Sequence, residues 1–175
     1  MKQGGCRLVK KRFHRLFSSH ELPSPHMCVS YIYFVSCWRM RMDAIRVVMA
    51  WHRAVNAGDP DEMTRWVSPD VEVAGPRGTA HGITMVKDWI TRSGIRLEPR
   101  QVYHRGDKVI VQQAARWPDP DQGDDALTPP VSAFTAFQIR DRQITRIART
   151  DSLPAALEVV GLSEDDLATG WTSTP

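Results

Sequence analysis

Arg149 and Asp151, near the end of a strand-like run, form the pairing in this sequence best suited to acid–base chemistry. Positions two apart on a strand share a face, so a guanidinium and a carboxylate would point the same way. A partly desolvated carboxylate has a raised pKa and can serve as a general base. A guanidinium beside it can hold it ionised or bind an oxyanion. Asp151 also precedes Leu153-Pro154, where its side chain would cap a helix instead, and both roles stay open. His81, next to Gly82, can shuttle a proton near neutral pH or simply sit exposed at a helix start. Tyr103, the one tyrosine after Met42, can donate to a ligand oxygen, but alternation leaves its sheet face undecided. Trp51, Trp66, Trp89 and Phe134, with Trp117 and Phe137, are core candidates, several of which would border any cavity.

Other chemistries are excluded. Cys6, Cys28 and Cys37 precede Met42 and lack C-x-x-C spacing, so neither a disulfide framework nor a zinc site is expected. Asp119, Asp121, Asp124 and Asp125 suggest calcium, but the loop has Asp124 where an EF-hand needs Gly and Pro130 where it needs Glu. Arg105-Gly106-Asp107 spells an integrin-binding tripeptide, but a hairpin turn is the expected reading, since no secretory signal is expected. No metal and no cofactor are expected.

The elements that would position these residues emerge from periodicity. Ala44, Val47, Val48, Trp51, Ala54 and Val55 lie on one helical face over Asp43–Ala57. Asp59-Pro60-Asp61-Glu62 starts a second helix, with Asp59 as N-cap, Pro60 first, and Glu62 completing a capping box. Ser68-Pro69-Asp70 breaks the chain before a short strand, Val71–Val73, and then comes a loop through Arg77 and Gly78. A third helix over Gly82–Arg92 turns Ile83, Val86, Trp89 and Ile90 inward. Ile95–His104 is strand-like, with Pro99 marking an edge or a bulge. In Lys108–Trp117 the residues Val109, Val111, Gln113, Ala115 and Trp117 face one way. An acidic loop leads to a hairpin of Val131–Arg140 and Gln143–Thr150, and a helix over Leu153–Val160 ends at Gly161.

Charge separates the first residues from the rest. Of 23 Lys and Arg, eight precede Met42 against one acid there, Glu21, so 15 basic and 19 acidic residues lie after it. The pI near 8.9 belongs to that leading segment, and the acidic remainder gives no reason to seek nucleic acid. The apolar run Met27–Trp38 is too short to span a bilayer, and Leu22-Pro23-Ser24-Pro25-His26 separates it from the basic stretch, against a secretory signal. Residues 1–41 are expected to be a disordered extension or the product of an upstream start assignment. A cytoplasmic setting is the default for the cysteine-free remainder.

The order of these elements, with Val55-Asn56-Ala57-Gly58-Asp59, Trp66-Val67-Ser68-Pro69-Asp70-Val71-Glu72-Val73, Gly75-Pro76, Gly82, Phe134–Ile139, Asp141-Arg142-Gln143-Ile144 and Arg146-Ile147-Ala148-Arg149-Thr150-Asp151, resembles the nuclear transport factor 2-like superfamily and, within it, the SnoaL-like proteins. The resemblance covers about Met42 to Val160. It implies an α+β fold: a cone-shaped, curved antiparallel sheet with three N-terminal helices packed on its concave face, and a pocket for a small apolar molecule. It also implies a homodimer. Steroid isomerases of this group place a carboxylate before the Pro that ends the first strand and a tyrosine near the place of Trp51. Gly75 and Trp51 stand there instead, which argues against that chemistry.

The expectation is therefore a concave, closed sheet in a domain over residues 42–160, with a flexible end over 161–175. Its function would be binding of a small apolar molecule through Trp51, Trp66, Trp89, Tyr103 and Phe134, with no nucleic acid and no membrane. The alternative is a cofactor-independent cyclase, isomerase or epoxide-hydrolase-type enzyme using Asp151, assisted by Arg149 and His81.

Overall fold

The computed structural model describes residues 44–123 and 126–169, so the expectation for residues 1–41 lies outside the described residues. Helix α1 (residues 44–57) buries the whole stripe read from its spacing, from Ala44 through Val47, Val48, Trp51 and Ala54 to Val55. Helix α2 (Pro60–Thr64) starts as its sequence dictates: the Asp59 carboxylate accepts from the N–H groups of Asp61 and Glu62 at 3.1 and 2.9 Å. Glu62 does not close a capping box. Its carboxylate instead accepts from the Trp66 indole at 3.1 Å and pairs with Arg65 at 2.8 Å.

Strand β1 (Val67–Gly75) runs through Ser68-Pro69-Asp70, where a break was expected. The explanation is a bulge against β6 (Gln143–Thr150): Val67 lies opposite Ile144, yet the next pair is Glu72 with Arg146. Proline, lacking an N–H, is tolerated in such an unpaired stretch. Strand β2 (Gly78–His81) pairs antiparallel with β1 where a loop was expected. Helix α3 (Ile83–Ser93) buries Val86 and Ile90 and stops at Gly94, whose φ of 56° is left-handed.

Strands β3 (Arg96–Arg105), β4 (Lys108–Arg116) and β5 (Val131–Arg140) complete a six-stranded sheet of order β2-β1-β6-β5-β4-β3. The sheet is curved but not closed, since β2 and β3 end the strand order and do not pair with each other. Nor is it wholly antiparallel, because β1 and β6 run parallel. Pro99 satisfies both expectations made for it: β3 is an edge strand, and its register with β4 shifts between Pro99 and Gln101.

Strand alternation builds two cores. On one side, residues of α1, α2 and α3 pack with Val102, Val109, Val111, Ala115, Phe137 and Ile147. On the other, Tyr103, Ile110, Ala136 and Ala148 meet helix α4 (Leu153–Val160) through Ala156 and Val160. Residues 161–169 pack on the fold, and residues 170–175 of the expected flexible end lie outside the described residues. Gly161 is left-handed, Leu162 is buried and donates to the Leu157 carbonyl at 3.0 Å, and a 3-10 turn (Glu164–Asp166) comes next. Among the described residues no helix is long and apolar enough to cross a membrane.

Candidate ligand-binding site

The inward residues of the sheet do not fill the space beneath the helices. A cavity of about 730 Å³ remains between the β1–β2 hairpin, α1, α3 and the faces of β4, β5 and β6. Strand parity decides its floor. Val111 lies opposite Thr135, Thr135 opposite Arg149, and Val73 opposite Ile147, so these residues share the face that also carries Gln113, Ala115 and Ala133. Trp51, Trp89, Trp117, Met85, Ile95 and Leu97 supply apolar wall.

One polar line crosses this floor. Thr135 Oγ1 lies 3.0 Å from Gln113 Nε2, and Gln113 Oε1 lies 2.6 Å from His52 Nε2. His52 Nδ1 is 2.8 Å from the Val48 carbonyl, and the ring sits edge-on against Trp51 and Phe137, centroids 4.9 and 5.8 Å away. His52 is buried, and burial lowers its pKa below the ordinary 6.5, opposed by the hydrogen bonds to Gln113 and Val48. A carbonyl can only accept, so Nδ1 carries the proton. In the neutral ring Nε2 must then accept. That requires the Gln113 amide to turn its NH2 toward His52 and its oxygen toward Thr135, whose hydroxyl donates to it and leaves an acceptor facing the cavity. The line thus joins a buried imidazole to the Thr135 hydroxyl on the cavity floor.

Among the candidates named from sequence, Trp51, Trp89, Trp117 and Arg149 line this cavity. Trp51 is buried, and its indole N–H has no acceptor among the described residues. Trp89 is 37% exposed rather than core, because its side of α3 faces the cavity. The others lie elsewhere. Trp66 is half-buried, held by Glu62. Tyr103 and Phe134 belong to the opposite side of the sheet, since on β5 it is 133, 135 and 137 that face inward. Burial, aided by the charge of Glu164, raises the Tyr103 hydroxyl above its ordinary 10.0, and that hydroxyl donates to Gln101 at 3.3 Å. His81 ends β2 exposed, opposite Glu72.

Asp151 is exposed and does not join Arg149 in the cavity wall. Strand β6 ends at Thr150, so the alternation linking the two residues stops before Asp151. It does not cap α4 either. Because the helix begins at Leu153, the cap falls to Ser152, whose Oγ accepts from Ala155 N–H. His52, Gln113 and Thr135 were not among the sequence candidates. Their signal was a polar side chain at a phase or parity that is otherwise apolar: His52 beside the α1 stripe, Gln113 among Val109, Val111 and Ala115.

A profile of the SnoaL-like domain matches residues 48–147, more than half of the chain, so the chain belongs to this family of the nuclear transport factor 2-like superfamily. No curated protein matches it by sequence. Solved structures share the fold. A putative polyketide cyclase from Xanthomonas campestris is 23% identical, with 66% of this chain and 95% of that one covered and a TM-score of 0.54. The epoxide hydrolase/cyclase-like enzyme SalBIII, of pyran ring formation in the polyether salinomycin, is 15% identical over 65% of this chain and 93% of its own, TM-score 0.55. A ketosteroid isomerase-like fold from Catenulispora acidiphila, in complex with trimethylamine, is 22% identical over 72% and 96%, TM-score 0.51.

Proposed function

We propose that this domain binds a small, flat, largely apolar molecule in the cavity between its helices and sheet. The observation that carries the reading is the lining itself: a largely apolar cavity of about 730 Å³ whose lining includes Gln113, Thr135 and Arg149. A cavity of that size and character suits a molecule of a few fused rings with one or two oxygens. Cyclase-type enzymes share the fold, but among the described residues the cavity wall carries no carboxylate, imidazole or phenol. Asp151, on which a catalytic reading depends, faces outward, so binding is better supported than acid–base catalysis. A cytoplasmic setting suits a domain free of cysteine. Pairing of two copies is part of the reading: beyond the patch that α4 covers, the outer sheet face leaves Gln112 and Ala114 only half-buried. Sedimentation would read this directly.

The test is a thermal-shift series with flat aromatic carbonyl compounds of one to three fused rings. A compound at a hundred times its Kd should raise stability by about 2.7 kcal/mol, a shift of several degrees. Ala133→Phe, which fills the cavity floor, should abolish the shift while the far-ultraviolet circular dichroism stays unchanged. The reading fails if no compound stabilises the protein, or if folded Ala133→Phe binds as well as wild type.

A further inference from the structure

We infer that the cavity's ligand is an anion, an apolar ring system bearing a carboxylate or an acidic enol, and that Arg77, Arg92 and Arg149 receive its charge. The inference rests on the proposed binding function and specifies its ligand. Among the described residues, every charged side chain that lines the cavity is an arginine, and no acidic residue lines it. This occurs in a body whose formal charge is negative, with 15 basic and 19 acidic residues after Met42. The arrangement therefore runs against the background charge.

The three arginines come from different elements and line the same cavity. Arg77 lies in the two-residue turn between Gly75 and Gly78, which are paired across the β1–β2 hairpin. Ala148, the neighbour of Arg149, pairs with Ala74 of β1, so Arg149 stands beside the base of that hairpin. Arg92 reaches the cavity from the last turn of α3, one turn beyond Trp89. None of the three has a carboxylate within ion-pair distance among the described residues. Arg92 bonds through Nε to the backbone carbonyl of Asp88 at 3.1 Å, which leaves its terminal nitrogens unused by that bond. All three are exposed, so each stays hydrated in the free protein and can give up water to a carboxylate, which a guanidinium grips with two parallel hydrogen bonds.

The polar line gives the second point of attachment. Arg149 lies directly across from Thr135 on the same sheet face, so charge recognition at the mouth and hydrogen bonding on the floor are one strand apart. A flat ligand with its acidic group at the arginines would lay its rings against Trp51, Trp89 and Trp117, and a ring oxygen would reach Thr135.

The experiment compares benzoate, 2-naphthoate and anthracene-2-carboxylate, each against its own carboxamide, by isothermal titration calorimetry at fixed ionic strength. The wild-type protein should bind the best acid at least tenfold more tightly than its amide. In the combined variant Arg77→Gln, Arg92→Gln, Arg149→Gln the acid and amide should become equal. Arg53→Gln, an exposed arginine of α1 outside the cavity, should keep the full preference. Acid and amide binding equally to wild type, or a preference that survives in the combined variant, overturns the anion assignment and leaves the binding reading intact. No binding by any acid or amide overturns the binding reading, and the assignment falls with it.

Discussion

His52 holds an ionisable ring in the core because both of its nitrogens find partners there, and the stability of that placement depends on pH. In the unfolded chain the imidazole titrates near 6.5, whereas in the folded protein burial lowers its pKa. Below the unfolded value, the unfolded chain takes up a proton that the folded one refuses. The stability tied to neutral His52 is therefore complete above about pH 6.5 and is lost as the pH falls toward the folded value. The slope approaches about 1.4 kcal/mol per pH unit while only the unfolded state is protonated. Urea unfolding should give a constant midpoint from pH 8 to pH 7 and a falling one between pH 6.5 and pH 5. His52→Gln should lower stability at pH 7.5 by about 1–3 kcal/mol, through imperfectly met Gln113 and Val48. It should also flatten the acid limb, and an unchanged limb in that variant would assign the dependence to other groups. The same residue marks a limit of reading by type. A polar residue beside an apolar stripe is a local signal, but the depth of His52 is shown by its tertiary contact with Gln113, 61 positions away.

Elements were legible where local chemistry specified them. The α2 start was, because Asp59 and Pro60 act within one turn. So was the β5–β6 hairpin, since its turn residues separate two apolar runs. Strand β2 was not: four mostly exposed residues carry no alternation, and their pairing is decided by the edge that β1 presents. The Ser68-Pro69-Asp70 break became a bulge because the parallel partner β6 continues past it, which no local pattern encodes. The hairpin turn shows what residue choice costs an element. Asp141 and Arg142 both take left-handed backbone angles, with φ of 51° and 65°, as a two-residue turn between twisted strands requires. Asp tolerates this region, whereas a long side chain such as Arg is held there at a cost of about 1 kcal/mol or more. Arg142→Gly should remove that strain, partly offset by the greater freedom of glycine in the unfolded chain. The expected gain is about 0.5 kcal/mol, or one to three degrees in Tm. A β-branched Arg142→Val should shift Tm the other way, and a drop for Arg142→Gly would mean that the Arg142 side chain itself stabilises the hairpin.

At the scale of the whole molecule the sheet has two occupied faces, and they divide the work. The face toward α1, α2 and α3 borders the cavity, while the other is partly covered by α4 and anchored by residues 161–169. Helix periodicity reached as far as Gly161 and no further, because that last segment is held by contacts with β3 that no local spacing announces. Leu162 is buried, Ala168 donates to the Val102 carbonyl at 2.8 Å, Leu167 bridges Tyr103, and Asp166 pairs with Arg105 at 3.2 Å. Since β3 is a sheet edge, this segment also occupies backbone groups that would otherwise invite pairing with another chain. A chain ending at Val160 would lose Leu162, worth about 1.5–3 kcal/mol of apolar burial, together with the left-handed glycine that closes α4. Such a chain should melt several degrees lower than one ending at Thr169 and should associate as concentration rises, by differential scanning calorimetry and light scattering. The chain ending at Thr169 should match the full-length protein. If the two shorter chains melt together, the segment lies on the fold without supporting it, and the boundary belongs at Val160 after all.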